Sequence, residues 1–431
     1  MDMTKIGKNI AALRKNSGYT QETLAQRLGI TPQAVSKWET GLGLPEASLL
    51  VELAGLFRVP VDDILGTDRP KEQVEDFIHR NQALPARKLL GCIPRIDRWD
   101  PPEGCDMWYS MPAMIAAALC GAEANESGRA DPVTLPELNE CFCEVMHLTG
   151  VAYSFLWCEP HHIIEELWRA NDYEEMVARV MGYYGRDYIS LSEKTATPEQ
   201  ARRLITWSVA NGHPVVTESI ANLPEFSLIV GYEDGGDTLM GWSYCGECAV
   251  KKSEAGMFVN PARWEEQDTW HVLAIGGKTA PIYNDRDSVE HALAVLDRTQ
   301  AAVPFGDDVM CAGDAALRKW LAVCDIPGHD VDCDSNQIYP YALYKNAVYT
   351  QQCMRDWYKA LCGRSSRQVH DAVNQITIAV GRLEGSRRDL DKLGKKKPTE
   401  VYAAACRAHI EFILQYRQDL RGWLRMIAEA L

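Results

Sequence analysis

Two groups of side chains in this chain could do chemistry. The first is Gln33, Ala34, Ser36 and Lys37, with Gln21 and Thr31 just upstream. Amide, hydroxyl and ammonium groups at this density hydrogen-bond to base edges and phosphates. The second is Cys105, set in the aromatic stretch Gly104-Cys105-Asp106-Met107-Trp108-Tyr109. A cysteine attacks only as its thiolate, so it needs a base or a helix N-terminus beside it. Of two further cysteine pairs, Cys245-Gly-Glu-Cys248 has metal-like or redox-like spacing, and Cys141-Phe-Cys143 is a conceivable second half.

The elements that must carry the first group are legible between Thr20 and Gly41. Thr20 is placed to cap a helix, since its hydroxyl can accept from an orphan backbone N–H. Leu24, Ala25 and Leu28 follow on one face. Gly29 ends that helix, and Thr31 with Pro32 opens the next. On the second helix Val35 and Trp38 turn inward, which leaves Gln33, Ala34, Ser36 and Lys37 outside. A helix polar on its outer N-terminal half suits a DNA major groove. Upstream, Ile6, Ile10 and Leu13 make an amphipathic helix whose Lys8, Arg14 and Lys15 are expected near a phosphate backbone.

Residues 4–66 resemble the Cro/CI (XRE) family of helix-turn-helix domains. The resemblance rests on Gln21, Ala25, the Gly29-Ile30-Thr31 turn and the run Ser36-Lys37-Trp38-Glu39-Thr40-Gly41. It implies an all-α domain of five helices over residues 1–69 that binds double-stranded operator DNA. It also implies base contacts from Gln33 and Lys37 and a phosphate contact from Gln21. Pro45–Phe57 and Val61–Leu65 supply the fourth and fifth helices. Residues 70–83 read as a linker, with a charged helix from Lys71 to Asn81.

A second region over 84–284 reads as α+β. Helices are expected at Ala113–Cys120, Pro136–Leu148, His162–Arg169, Tyr173–Gly182 and Pro198–Asn211. Strand-like runs follow at 214–217, 226–232, 238–244 and 270–275, with Asp234–Asp237 as a hairpin turn. This region resembles the papain-like, C39-type fold in its butirosin acyltransferase-like, non-protease branch. The matching pieces are Gly104-Cys105 before a helix, Asn211-Gly-His-Pro-Val-Val216, and Leu228-Ile-Val-Gly-Tyr-Glu-Asp234 followed by Leu239-Met-Gly-Trp242. In that family a histidine stands shortly before the Val-Gly-Tyr segment. Here Pro224-Glu225-Phe226-Ser227 holds none. Nothing in spacing ties His161, His162, His213 or His271 to Cys105 either.

Cys105 is therefore a degenerate catalytic candidate, and the resemblance implies a pseudoenzyme whose cleft binds a small molecule or peptide. Cys105, Trp108, Tyr109, Glu225, Tyr232, Trp242 and Tyr244 are the candidate ligand residues. Two other readings stand beside this one: an active Cys105-dependent acyltransferase or amidase, and a cysteine-based metal or redox sensor. The thiols themselves are expected as reduced core residues, with no metal and no cofactor.

Residues 285–431 read as helical. Tyr339–Leu361 and Ser366–Arg382 are amphipathic stretches, Ser386–Lys397 reads as a basic connection, and Thr399–Leu431 as one long helix. Phe412, Tyr416, Leu420, Trp423, Leu424 and Ile427 give that helix an apolar side, suited to closing the domain or to a homodimer.

Composition bounds the whole. A chain of 431 residues with 46% hydrophobic content holds two or three domains. Its net charge of −15 excludes a protein that coats nucleic acid along its length. Residues 4–58 carry seven basic and four acidic side chains, so the balance turns positive there. No apolar run reaches the ~18 residues of a membrane span, and the N-terminus has no apolar signal region. A cytoplasmic protein without membrane contact is the expectation.

Overall fold

The computed structural model describes residues 3–17, 19–57, 64–65, 77–78, 84–91, 93, 96, 109–158, 162–163, 172–218, 226–243, 251–252, 258–261, 270–298, 303–305, 308–323, 349–362, 366–394 and 400–431. The chain divides into two compact units, residues 1–82 and 83–431.

In the first unit, α1 (Met3–Asn16), α2 (Gln21–Arg27), α3 (Pro32–Glu39) and α4 (Ala47–Phe57) enclose one core. Ile6, Ile10, Leu24, Val35, Trp38, Leu53 and Phe57 fill it. Each such aliphatic side chain taken from water contributes about 1.5–3 kcal/mol. Gly29 ends α2 with φ +65°, a conformation that favours glycine. Gly7 has a different reason: a Cβ there would lie 2.2 Å from the Trp38 carbonyl oxygen, so its absence lets α1 lie against α3. Of the expected fifth helix only Ile64 and Leu65 are described, both helical; of the linker helix, only Phe77 and Ile78.

The second unit opens with β1 (Lys88–Leu89), α5 (Ser110–Glu126) and α6 (Leu135–Leu148). β2 (Leu156–Cys158) and β3 (His162–Ile163) follow, then α7 (Tyr173–Tyr184), β4 (Arg186–Ser192) and α8 (Pro198–Ala210). β5 (Val215–Glu218), β6 (Phe226–Glu233), β7 (Thr238–Ser243), β8 (Lys251–Lys252), β9 (Phe258–Pro261) and β10 (His271–Lys278) continue the chain. The remainder comprises α9 (Asp285–Asp297), β11 (Val303–Phe305), β12 (Asp308–Ala312), α10 (Gly313–Val323), α11 (Thr350–Cys362), α12 (Arg367–Gly394) and α13 (Glu400–Ala430).

The main sheet has eight strands in the order β4-β10-β5-β6-β7-β9-β8, with β1 also paired to β6. Every pairing in it is antiparallel. Strand alternation divides its side chains. Val216, Phe226, Leu228, Val230, Leu273 and Ile275 join the large apolar cluster with α5 and α6. Val215, Ile229, Val272 and Ala274 point the other way, where α8 packs. This two-sided cover explains why β6 is buried almost end to end. A second, four-stranded antiparallel sheet runs β11-β12-β2-β3.

Several expectations are corrected. His162 and Ile163 pair with Cys158 and Trp157 as a strand, where a helix was expected from His162. Residues 285–431 are not helical throughout, because β11 and β12 complete the second sheet. The expected connection at 386–397 is helical through Gly394, held by buried Leu383 and Leu390. β4 has no counterpart in the sequence reading. One apolar cluster runs from Ile96 to Ala428, across the expected boundary at 284/285. Tyr416, Leu420, Leu424 and Ile427 are spent inside it, with Phe412 and Trp423 against its margin. Among the described residues, no helix is long and apolar enough to cross a membrane.

Candidate nucleic-acid interface

The turn between α2 and α3 is built by local hydrogen bonds. The Thr20 hydroxyl accepts from the Thr23 amide at 3.1 Å, and the Thr20 amide donates back to the Thr23 hydroxyl at 2.8 Å. This reciprocal pair satisfies two donors at the start of α2. Thr31 caps α3 by accepting from the Ala34 amide at 3.3 Å, with Pro32 in the first turn. Thr31 is thus committed to the helix start, while remaining exposed. At the far end the Thr40 hydroxyl donates to the Ser36 carbonyl at 2.8 Å.

α3 presents the expected surface. Val35 and Trp38 are buried, Gln33 and Lys37 are exposed, and Ala34 and Ser36 are half-buried between them. Gln33 and Lys37 stand four residues apart and therefore share a face. Gln21, the first residue of α2, is half-buried, and its amide donates to Glu39 Oε2 at 2.7 Å.

Glu39 and Arg14 are the residues that sequence reasoning missed here. Arg14 Nε donates to Glu39 Oε1 at 2.5 Å, and Nη2 donates to Oε2 at 3.2 Å. Arg14 Nη1 also donates to the Tyr19 carbonyl at 2.7 Å. The side chains of Arg14 and Glu39 are only 10% and 9% exposed. Arg14 is therefore not a phosphate ligand beside Lys8 and Lys15, as its place on α1 suggested. It is a buried clamp joining α1, the α1–α2 connection and the end of α3. Burial alone would push the Glu39 carboxyl up, but the hydrogen bonds from Arg14 and Gln21 outweigh it and hold the group below its ordinary range. The Glu39 hydrogen bond likewise raises Arg14. Among the described residues, the second amide N–H and the carbonyl of Gln21 have no partner, and the clamp already orients them. The only sequence signal for this pair was two opposite charges, 25 residues apart.

Residues 10–64 match the helix-turn-helix family model HTH_3. The uncharacterized HTH-type transcriptional regulator YazB of Bacillus subtilis is 36% identical over 58 residues, covering 14% of this chain and 84% of YazB. The chain belongs to the HTH_3 helix-turn-helix family. Antitoxin PezA of Streptococcus pneumoniae is 36% identical to this HTH_3 chain over 72 residues, 17% of the chain and 46% of PezA. The HTH-type transcriptional regulator ImmR of Bacillus subtilis is 30% identical over 82 residues, 18% of the chain and 65% of ImmR. The chain thus spans less than two thirds of the length of PezA and of ImmR. The HTH_3 match itself lies within the first unit.

The candidates in the second unit fare unevenly. Cys105, Trp108, Glu225 and Tyr244 lie outside the described residues, as do Cys245, Cys248 and His161. Tyr109 is buried in the apolar cluster just before α5, and Trp242 packs on the margin of the same cluster. Tyr232 is fully buried but does not belong to that cluster; its hydroxyl donates to the Pro85 carbonyl at 3.0 Å.

His213 Nε2 lies 3.0 Å from Glu126 Oε1, and burial lowers its proton affinity. His271 Nδ1 lies 2.7 Å from Glu218 Oε2. Cys141 and Cys143 point apart on α6: Cys141 Sγ contacts Tyr184 Oη at 3.5 Å, whereas Cys143 meets Cys353. They do not form half of a shared metal site. Among the described residues, no group of three or more His, Cys, Asp and Glu is placed to hold a metal ion.

Proposed function

We propose that the protein is a sequence-specific, DNA-binding transcriptional regulator in which α3 enters the major groove of a palindromic operator. The observation that carries this reading is the division of α3: Val35 and Trp38 hold it to the core while Gln33 and Lys37 stand exposed on one face. Base edges would be read by Gln33 and Lys37, and a phosphate held by Gln21 with the remaining N–H of its amide. HTH_3 membership and relatives named as transcriptional regulators support the same conclusion. One such helix reads only a few base pairs, so specificity requires two half-sites about one DNA turn apart and a homodimer. Selection of binding sites from randomised duplexes tests this, followed by footprints of Gln33→Ala and Lys37→Ala. Each substitution is expected to relax preference at one base position and to cost about 1–3 kcal/mol. Failure to enrich any sequence would refute it.

For residues 83–431 we infer a sensor of a small molecule or peptide, papain-like in ancestry and without turnover. The reading is supported by a buried helix, α5, that begins shortly after Cys105 and packs on a sheet containing the Val-Gly-Tyr strand β6. Residues 224–227 offer no histidine to take a proton from the thiol. An effector regulates only if it binds DNA-competent and incompetent states unequally. Thioester, amide and peptide panels run on wild type and Cys105→Ala separate the readings, since turnover by wild type alone would revive the enzyme.

A further inference from the structure

A cavity of about 300 Å³ opens in the second unit, lined by residues of α6, α7, α9 and α11. Its size is that of a small-ligand site. Four carboxylates line it: Glu140 and Glu144 on α6, Asp285 at the start of α9, and Asp356 on α11. No Lys, Arg or His is among the described lining residues.

Three of these carboxylates have no cationic partner among the described residues. Glu144 accepts from the Tyr184 hydroxyl and from Tyr183 and Trp357. Asp285 accepts from the Tyr183 hydroxyl at 2.6 Å. These neutral donors orient the two groups, while burial raises the Glu144 carboxyl above its ordinary range. Glu140 is exposed and makes no ion pair among the described residues. Asp356 differs, with Arg355 at 3.1 Å and Lys359 at 3.5 Å.

Between the charges the wall is aromatic and aliphatic, from Tyr183, Trp357 and Leu361. The Trp357 ring stacks on His147 with centroids 3.6 Å apart. Burial pushes His147 down to about 3, so it is neutral and adds no positive charge beside the cavity. Glu144 and Asp285 meet at the Tyr183 hydroxyl, but no three acidic, histidine or cysteine groups among the described residues suit a metal ion. A compact divalent cation needs oxygens gathered at roughly 2.0–2.6 Å. Carboxylates drawn from several helices around an aromatic wall instead match an extended cation, whose methylenes pack while its ammonium groups pair.

We propose that this cavity binds an aliphatic diamine or polyamine, its ammonium groups at Glu140, Glu144 and Asp285 and its methylene chain along Tyr183, Trp357 and Leu361. Binding stands on its own. The further step, that occupancy alters operator affinity, rests on the regulatory reading above and fails separately: saturable binding that leaves operator affinity unchanged keeps the site and removes its regulatory role.

The test is calorimetric titration of the full chain at low salt with spermidine, with magnesium chloride and 1,6-hexanediol as charge-only and chain-only controls. One-to-one binding of spermidine is expected, weakened at least tenfold by Glu140→Gln and by Asp285→Asn. Neither variant should lower the melting temperature without ligand, because Glu140 is exposed and asparagine retains an acceptor for Tyr183. The proposal is overturned by the absence of saturable heat, by equal affinity for magnesium, or by unchanged spermidine affinity in both variants. The last result would assign the binding to the diffuse charge of a chain with net charge −15.

Discussion

Replacing Arg14 with methionine should loosen the helix-turn-helix far more than loss of a surface ion pair would. The substitution keeps most of the side chain's volume and leaves Glu39, 9% exposed, with the Gln21 amide as its one remaining hydrogen-bond partner among the described residues. Breaking a buried pair from one side costs about 3–5 kcal/mol, because an uncompensated charge remains inside. A unit of 82 residues has on the order of 4–12 kcal/mol in all. The variant should therefore open α3 readily while the second unit stays closed. Hydrogen exchange by mass spectrometry on the intact chain reads this directly. Peptides covering residues 20–41 should exchange roughly 150- to 5,000-fold faster, and those from α6 unchanged. Adding Glu39→Leu to Arg14→Met should recover most of the loss, since a buried pair replaced by apolar residues is near neutral. An acceleration below about fivefold in the single variant would place the pair in the range of exposed salt bridges and refute the clamp.

Other consequences can be checked. Gly7→Ala should drive α1 from α3, because its Cβ would sit 2.2 Å from the Trp38 carbonyl; a cost of about 1–3 kcal/mol, seen as faster exchange in α1, is expected, and no change would count against the close packing. Tyr153→Phe removes a hydroxyl 2.5 Å from His147 Nδ1 and 2.7 Å from the Tyr358 hydroxyl, so the urea midpoint should fall by the equivalent of about 1–3 kcal/mol. Burial lowers the proton affinity of His147 to about 3 and of His409 to about 4, and also lowers that of His291. The unfolded chain therefore takes up protons on these residues first. Stability should be full above pH ~6.5 and fall below it, by roughly 2 kcal/mol for each of His147 and His409 between pH 6.5 and 5, with His291 acting in the same direction. Glu39 acts in the same sense at lower pH: its depressed carboxyl stabilises above the ordinary carboxylate range and loses that effect as pH falls through its folded value. A flat urea midpoint from pH 7 to 5 would contradict the histidine assignment.

The helix-turn-helix was legible because its determinants are local. Caps at Thr20 and Thr31, the left-handed Gly29 and the inward spacing of Val35 and Trp38 all lie within a few residues of what they control. The Arg14–Glu39 clamp was not legible, since it joins residues 25 apart that ordinary surface helices also carry. The second sheet was hidden for the same reason: β2 and β12 pair Trp157 with Cys311 across 154 residues, and each strand is too short to show a period. Gly394 and the basic run made the end of α12 look like a loop, yet burial of Leu383 and Leu390 overrides the weak local preference. The acidic cavity draws on three helices for its carboxylates, and only Glu140 and Glu144 are close enough in sequence to suggest a shared face.

The cluster that runs from Ile96 to Ala428 has a consequence for synthesis. Leu424 and Ile427 belong to the same cluster as residues made more than 300 positions earlier, such as Met111 and Met114. At about 5–20 residues per second, the ribosome finishes the first unit roughly 17–70 seconds before residue 431 emerges. For that interval the nascent chain carries a completed reading head and an unclosed second core. A message cut short before α13 would release that species permanently, with sticky apolar surface where the last helix belongs.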